Sequence, residues 1–186
     1  MTFRKTDKEM ISRFQEKGVQ LHFTTQKVER RNIHYATTGN DNLPTLVFIH
    51  GTPGSWDAFA DYLQDSLLLL QYRMVSIDRP GFGYSDFGKP EHLLRQSELI
   101  SPVLEKLDNG RPIYLAGHSL GGPLIIQLAA DNPTLIAALE MIAGSVDPAE
   151  EKPEKWRPIL FKTPLNRLVP GAFRPSNKEL WYLKKT

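Results

Sequence analysis

The sequence predicts an α/β fold built on a doubly wound, mostly parallel β-sheet with helices on both faces. Four apolar runs, each bounded by turn residues, alternate with stretches of helical spacing. This alternation is typical of parallel strands connected by helices. The third run leads into Gly117-His118-Ser119-Leu120-Gly121, a strand-to-helix turn with a serine at its apex.

The predicted sheet begins with two half-buried strands. Apolar residues alternate at Val19, Leu21 and Phe23, and again at Ile33 and Tyr35, so we expect two antiparallel neighbours. The next four strands are continuous apolar runs, which indicates burial on both faces. These runs are Leu46–Ile49, Met74–Ile77, Ile113–Ala116 and Leu139–Ala143.

Helices are expected between these runs. The clearest one follows Pro90, a start signal, and stops before Asn109-Gly110. Shorter helices are expected over residues 56–63 and 124–130. The apolar stripe of the clearest helix has helical spacing and consists of Leu93, Ile100, Val103, Leu104 and Leu107.

Composition excludes several classes of protein. The 40% hydrophobic content of this 186-residue chain argues against a disordered or fibrous protein, and the net charge of +2 gives no electrostatic case for nucleic acid. Zero cysteines exclude disulfides and thiolate metal sites, and the five histidines lack a metal-ligand spacing. We therefore expect no metal and no cofactor. Without an apolar signal core or a long apolar run, we expect no membrane span and take the cytoplasm as the default location.

The chain changes character near Asp147. Residues 147–155 are charged and interrupted by proline, and basic residues outnumber acidic ones after residue 150, whereas the opposite holds before it. We expect a core over residues 1–147. Residues 148–186 are basic, aromatic and punctuated by proline, as expected for the beginning of a lid that covers a pocket.

The serine turn predicts a nucleophile. A strand that reverses sharply into a helix leaves room only for glycines beside the serine, here Gly117 and Gly121. Ser119 would then face solvent at the helix N-terminus, and the Leu120 amide would form half of an oxyanion hole. The alternative is a serine that only caps the helix.

The loop after the first apolar run would supply the second oxyanion donor. It contains His50-Gly51-Thr52-Pro53-Gly54. The Thr52 amide is the expected donor because a glycine-rich loop can closely approach the strand-to-helix turn at Ser119, which we call the elbow. We expect His50 and Gly51 to support this loop. A plain Pro-Gly turn without a catalytic role is the alternative.

With the loop Asp78-Arg79-Pro80-Gly81-Phe82-Gly83-Tyr84-Ser85, the three motifs resemble the α/β-hydrolase superfamily from about residue 20 to residue 147. The resemblance implies an N-terminal portion of the core, truncated before the last strands. It also implies that Asp78 and Arg79 hold their loop by contacts from side chain to backbone. A role in binding substrate is the alternative for these two residues.

The resemblance further implies a catalytic acid and then a histidine after the nucleophile, but no histidine follows Ser119. Asp147 stands where some members place their acid, although a capping or linker role is the first expectation. His118 should be a packing residue and His50 a brace for its loop. The remaining histidines, His22, His34 and His92, should be surface or half-buried residues.

Together these features predict a serine hydrolase that forms a Ser119 acyl-enzyme with a small ester-like or other carbonyl substrate, incomplete in this chain. One alternative is a non-catalytic binding module with the same fold. Another is one half of a two-chain enzyme. Because a sheet that ends after Leu139–Ala143 leaves an apolar edge, we expect self-association or a complementing C-terminal polypeptide.

Overall fold

The computed structural model describes residues 7–87 and 91–145. Within these residues, six strands form one sheet, and two 3₁₀ turns, Trp56–Phe59 and Tyr62–Gln64, follow the third strand. In chain order the helices and strands are α1 (Asp7–Glu16), β1 (His22–Val28), β2 (Arg31–Thr38), β3 (Thr45–Ile49), α2 (Ser66–Leu69), β4 (Arg73–Ile77), α3 (Leu93–Leu107), β5 (Ile113–His118), α4 (Gly121–Asp131) and β6 (Ile136–Ile142).

The strands lie in the order β1-β2-β4-β3-β5-β6. β1 and β2 form an antiparallel hairpin, β2 pairs antiparallel with β4, and the remaining pairs are parallel. The predicted mostly parallel sheet and its antiparallel opening pair are therefore confirmed, although β1 begins at His22, after Val19 and Leu21 of the predicted alternation. Ile49 of β3 lies beside Ile77 of β4 and Gly117 of β5, so three strands end at the same edge. The three loops that the sequence singles out begin there.

Both faces of the sheet are covered, as predicted. Because successive side chains of a strand point to opposite faces, Val47 belongs to one core cluster and Phe48 to the other. Apolar side chains of α3 and α4 pack on the first face. The second face is covered by α1 and by the 3₁₀ turns, which bury Phe14 and Trp56 respectively.

The predicted helix between the second and third apolar runs is confirmed as α3. Its apolar stripe packs into the core, and the helix ends before Asn109 as expected. It begins at Leu93, where His92 caps it by accepting a hydrogen bond from the Arg95 N–H at 3.3 Å. Pro90 lies outside the described residues.

The helix predicted over residues 56–63 is wrong. This segment forms the two 3₁₀ turns instead, because Trp56 and Phe59 stand three residues apart and a turn with three residues per repeat buries both. The helix α1 was not predicted from the sequence. Met10 and Phe14 stand four residues apart on this helix and are both buried.

The last strand, β6, corrects another prediction. The run Leu139–Ala143 was predicted to be buried on both faces, yet residues 137–141 are exposed, with Leu139 at 40% and Met141 at 43%. β6 pairs with β5 on one side, and within the described part of the chain no strand pairs with its other side. A strand is buried on both faces only where other elements pack over each face, and within the described part of the chain this cover is incomplete over residues 137–141.

None of the helices in residues 7–87 and 91–145 has the length and apolar character needed to cross a bilayer. The predicted boundary at residue 147 and the predicted lid segment 148–186 both lie outside the described residues.

Candidate active site

Ser119 stands at the reversal between β5, which ends at His118, and α4, which begins at Gly121. Its φ of +52° lies in the left-handed region, which costs a non-glycine residue about 1–2 kcal/mol. A Cβ on Gly117 would overlap the Gly121 backbone, and one on Gly121 would overlap the Ile49 carbonyl. Close backbone approach therefore explains both flanking glycines.

The end of β6 holds the backbone of this serine. The Ser119 N–H donates to the Ile142 carbonyl at 3.1 Å. The Ser119 carbonyl accepts from the N–H groups of Gly122 at 2.9 Å and Ser145 at 3.2 Å. Both backbone polar groups of the predicted nucleophile are thus fixed.

The loop after β3 lies against the elbow. A Cβ built on Gly51 would be 2.8 Å from the Cβ of Ser119 and 3.0 Å from the His118 carbonyl oxygen, so only glycine fits there. Thr52 directly follows Gly51, and Leu120 directly follows Ser119. The structure therefore brings together the two loops that carry the predicted oxyanion donors, whose convergence on one oxygen stays a prediction.

Arg79 ties the strand β4 to this loop. Its buried guanidinium donates through Nη2 to the Gly51 carbonyl at 3.1 Å and to the Thr52 hydroxyl at 2.6 Å, and through Nη1 to Gln96 at 3.2 Å. Hydrogen bonds from a buried cation are stronger than neutral ones. The side chain of Arg79 thus fixes the backbone immediately before the predicted donor.

His50 is fully buried beneath the same loop. Its Nε2 accepts a hydrogen bond from the Arg79 N–H at 3.1 Å, so we assign the ring proton to Nδ1, which lies 2.7 Å from the Gly51 carbonyl. With both ring nitrogens engaged in this way, the ring is occupied in bracing the loop. A base for Ser119 has to come from another residue.

The buried carboxylate of Asp78 connects three segments of the chain. Oδ1 accepts from the Trp56 N–H at 2.7 Å, while Oδ2 accepts from the Tyr84 N–H at 2.9 Å and contacts His34 Nδ1 at 2.8 Å. A side chain on Gly83 would overlap this carboxylate. Asp78 and Arg79 therefore contact both ends of the segment from Gly51 to Trp56.

The other histidines differ in part from expectation. His118 is exposed, so its prediction as a packing residue is wrong: at the end of β5 its side chain lies beside the small Gly51. His22 and His92 are exposed, as predicted. His34 was predicted to be a surface or half-buried residue, but it is buried and contacts Asp78. The apolar neighbours of His34 were the available signal, but its partner is distant in the chain.

Within residues 7–87 and 91–145, the Ser119 hydroxyl has no hydrogen bond to a histidine, and no group of three or more metal-ligating side chains is present. Asp147, the alternative catalytic acid, lies outside the described residues. The described arrangement offers a strained, partly exposed serine beside a braced glycine loop at a helix N-terminus, where negative charge is stabilised.

Comparisons with known proteins agree with this architecture. A family model described as alpha/beta hydrolase fold matches residues 44–178. Epoxide hydrolase 1 of Caenorhabditis elegans is 35% identical over 118 residues, which are 61% of this chain and 28% of that protein. A pimeloyl-[acyl-carrier protein] methyl ester esterase of Nitrosomonas europaea is 32% identical over 117 residues, which are 61% of this chain and 42% of that protein.

Among solved structures, Cfl2 of Burkholderia cenocepacia matches with a TM-score of 0.67 at 24% identity, covering 87% of this chain and 56% of that one. This likeness shows a shared fold. The chain spans less than half the length of the curated relatives reported above.

Proposed function

The chain belongs to the α/β-hydrolase fold family, and from this premise we propose that it carries the nucleophile and oxyanion machinery of a serine hydrolase. Ser119 is the proposed nucleophile. The backbone N–H groups of Thr52 and Leu120 are the proposed oxyanion donors. Asp78, Arg79 and His50 are the proposed supports of the loop that carries Thr52.

One observation supports this proposal above the others: the left-handed Ser119 is packed against Gly51 so closely that no side chain fits between them. A strained non-glycine residue persists only where the surrounding structure determines its conformation, and such residues concentrate at functional sites. A serine that only caps a helix has an extended backbone and needs no partner loop.

In the proposed reaction, the Oγ of Ser119 attacks a carbonyl carbon, and the carbonyl oxygen takes up negative charge facing the two donors. The serine proton passes through a base to the leaving group, whose bond to the carbonyl carbon breaks. Water then attacks the acyl-enzyme, releasing the acid and restoring the hydroxyl of Ser119. We propose that the base and its acid partner come from beyond residue 145.

The chemistry of serine favours a carbonyl substrate over an epoxide. The C. elegans relative is named an epoxide hydrolase, whereas the N. europaea relative is named an esterase. If Ser119 opened an epoxide, the product would be an ether, which water does not cleave under mild conditions. Attack on an ester or thioester forms an acyl-serine ester, which water does cleave. Turnover through Ser119 therefore requires an acyl substrate.

A fluorophosphonate probe tests the proposal. Because no histidine within the described residues is hydrogen-bonded to Ser119, we expect the probe to add covalently but slowly to Ser119 of the chain, as measured by intact mass and peptide mapping after prolonged incubation. Ser119→Ala should abolish the adduct, whereas Ser66→Ala, which removes an exposed serine far from the elbow, should not. Labelling that survives Ser119→Ala, or a complete lack of labelling of the folded chain, would contradict the proposal.

The exposed apolar strand β6 favours a second candidate, in which the chain is one half of a two-chain enzyme. A non-catalytic binding module is the remaining alternative. A second polypeptide that pairs with β6 would cover Leu139 and Met141. Co-purification of such a polypeptide, with a gain in esterase turnover on mixing, would favour the two-chain enzyme. Saturable binding of an ester without labelling would favour the module.

A further inference from the structure

The turn after β6 is joined to the peptide unit of the nucleophile. We name residues Ile142, Ala143, Gly144 and Ser145 the elbow latch. The Ile142 carbonyl accepts from the Ser119 N–H, and the Ser145 N–H donates to the Ser119 carbonyl at 3.2 Å. Two ends of one short turn thus bind the two backbone polar groups of one residue.

The latch has its own backbone strain. Ala143 has a φ of +47°, in the same left-handed region as the +52° of Ser119. Two non-glycine residues in this region thus directly follow the neighbouring strands β5 and β6. Because each conformation costs free energy, both persist only where the surrounding contacts determine them, here including the hydrogen bonds of Ser119 to Ile142 and Ser145.

The latch also packs on the first turn of α4. A Cβ on Gly122 would be 2.9 Å from the Cα of Gly144, and one on Gly144 would overlap the Met141 side chain. A side chain at Gly122 would push the latch backbone away from the elbow, whereas one at Gly144 would displace the side chain of Met141. The small residues therefore keep the Ser145 N–H within reach of the Ser119 carbonyl.

The Ser119 carbonyl and the Leu120 N–H belong to one planar peptide unit. In a trans peptide the two groups point in opposite directions, so fixing the carbonyl also fixes the direction of the N–H. Two donors, Gly122 and Ser145, bind this carbonyl. Hydrogen bonds along a chain polarise one another, which strengthens the donor on the far side of the peptide.

We propose that the elbow latch fixes the direction of the Leu120 N–H and makes it a stronger hydrogen-bond donor to the oxyanion. The Ser145 N–H is the positioning group. This inference rests on the proposed serine hydrolase function. The latch acts through the Ser119–Leu120 peptide and does not touch the substrate.

A matched pair of variants at one position tests the latch in the full 186-residue chain. Ser145→Pro removes the N–H, whereas Ser145→Ala keeps it. We expect Ser145→Pro to slow fluorophosphonate labelling of Ser119 at least about tenfold, short of the roughly 100-fold or greater loss when an oxyanion donor is removed outright. Ser145→Ala should label at the wild-type rate.

NMR gives a readout that general destabilisation would not move. In Ser145→Pro the Leu120 amide proton should shift upfield, because its peptide loses one polarising partner, while amides of β1, four strands away from β5 in the sheet, keep their positions. Unchanged Leu120 shifts and labelling rates in folded Ser145→Pro would overturn the proposal. A Leu120 shift in a chain that never labels would instead overturn the serine hydrolase function and leave the latch standing.

A second variant covers the case in which Ser145→Pro does not fold. Ala143→Val places a β-branched side chain at a positive φ and should move the latch, whereas Ala143→Gly fits this φ freely. We expect Ala143→Val to reproduce the slow labelling and the Leu120 shift, and Ala143→Gly to match the wild type. Identical behaviour of the two variants would overturn the proposal.

Discussion

The Cα of Gly51 lies directly against the side chain of Ser119, with 2.8 Å between a Cβ built on the glycine and the Cβ of the serine. The buried guanidinium of Arg79 holds the carbonyl of the same glycine. Gly51 therefore sets the separation between the elbow and the loop that carries Thr52. We expect the reactivity of Ser119 and the free energy of unfolding to depend on this separation.

Gly51→Ala should separate the two loops. Because the new methyl group overlaps Ser119 and the His118 carbonyl, we expect at least about tenfold slower labelling of Ser119 and a loss of about 1–3 kcal/mol in the free energy of unfolding. Labelling kinetics and urea denaturation measure the two effects.

Gly110→Ala is the control for this change. Gly110 has a φ of +75° and no neighbouring atoms within 4 Å of a built Cβ, so alanine there costs about 1 kcal/mol of backbone strain without crowding any site. It should label at the wild-type rate. Equal labelling by both alanine variants would mean that the Gly51 contact does not shape the site.

Arg79→Lys tests the brace of the loop. A lysine keeps the charge but cannot donate to Gly51, Thr52 and Gln96 at once from one planar group. We expect a loss of about 2–3 kcal/mol in unfolding free energy together with slower labelling. Arg111→Lys, at an exposed position, should change neither. Slower labelling without lost stability would instead point to direct contact between Arg79 and the probe.

Tyr35 should make the fold sensitive to alkaline pH. Burial raises the pKa of Tyr35 above its ordinary value of 10.0, although a hydrogen bond with Thr24 and the charge of Arg73 oppose the shift. The unfolded chain then loses this proton at lower pH than the folded one. The contribution of Tyr35 to the free energy of unfolding is fully present below pH 10. Above pH 10 the free energy of unfolding falls by at most about 1.4 kcal/mol per pH unit.

Melting temperatures between pH 9 and pH 11, roughly around that ordinary pKa, provide the measurement. Tyr35→Phe removes the titrating group and should flatten the alkaline decline, whereas Tyr62→Phe, at a residue 46% exposed, should leave it as in the wild type. An equally steep decline in Tyr35→Phe would assign the effect to another group.

The exposed β6 edge should promote self-association of the chain. Leu139→Lys places a charge in the middle of this apolar edge strand, and charges on edges oppose strand pairing. We expect lower light scattering at high concentration than for the wild type. Leu94→Lys changes a leucine of similar exposure on α3 and should have little effect. Monodisperse wild-type monomer at the same concentration would contradict the prediction.

The sequence predicted those parts of the fold that local pattern determines. The central strands, α3 and the elbow glycines follow from apolar runs, helical spacing and the need for close backbone approach. The last apolar run is confirmed as the strand β6, but its predicted burial was wrong because an apolar run carries no information on whether other elements pack over it. The 3₁₀ turns at Trp56 were mistaken for a helix because three- and four-residue spacings look alike over eight residues.

Contacts between distant segments were the least predictable part of the site. The pairing of His34 with Asp78, and the hydrogen bond from Ser145 to Ser119, depend on which strands become neighbours in the sheet. Motifs placed the loops at one edge but did not specify these partners. The bracing of Gly51 by Arg79 likewise needed the structure, although the adjacent Asp78-Arg79 pair was expected to hold a loop.

The pairing of Thr45 in β3 with Ile113 in β5 has a consequence for how the protein folds. The two strands are far apart in sequence, and their pairing requires closure of a long stretch of chain, which slows folding. During synthesis, the loop at Gly51 leaves the ribosome well before Ser119 exists. We therefore expect the β1–β2 hairpin to form early. The contact between Gly51 and Ser119 should form late, together with the pairing of β3 and β5, in the step that limits the folding rate.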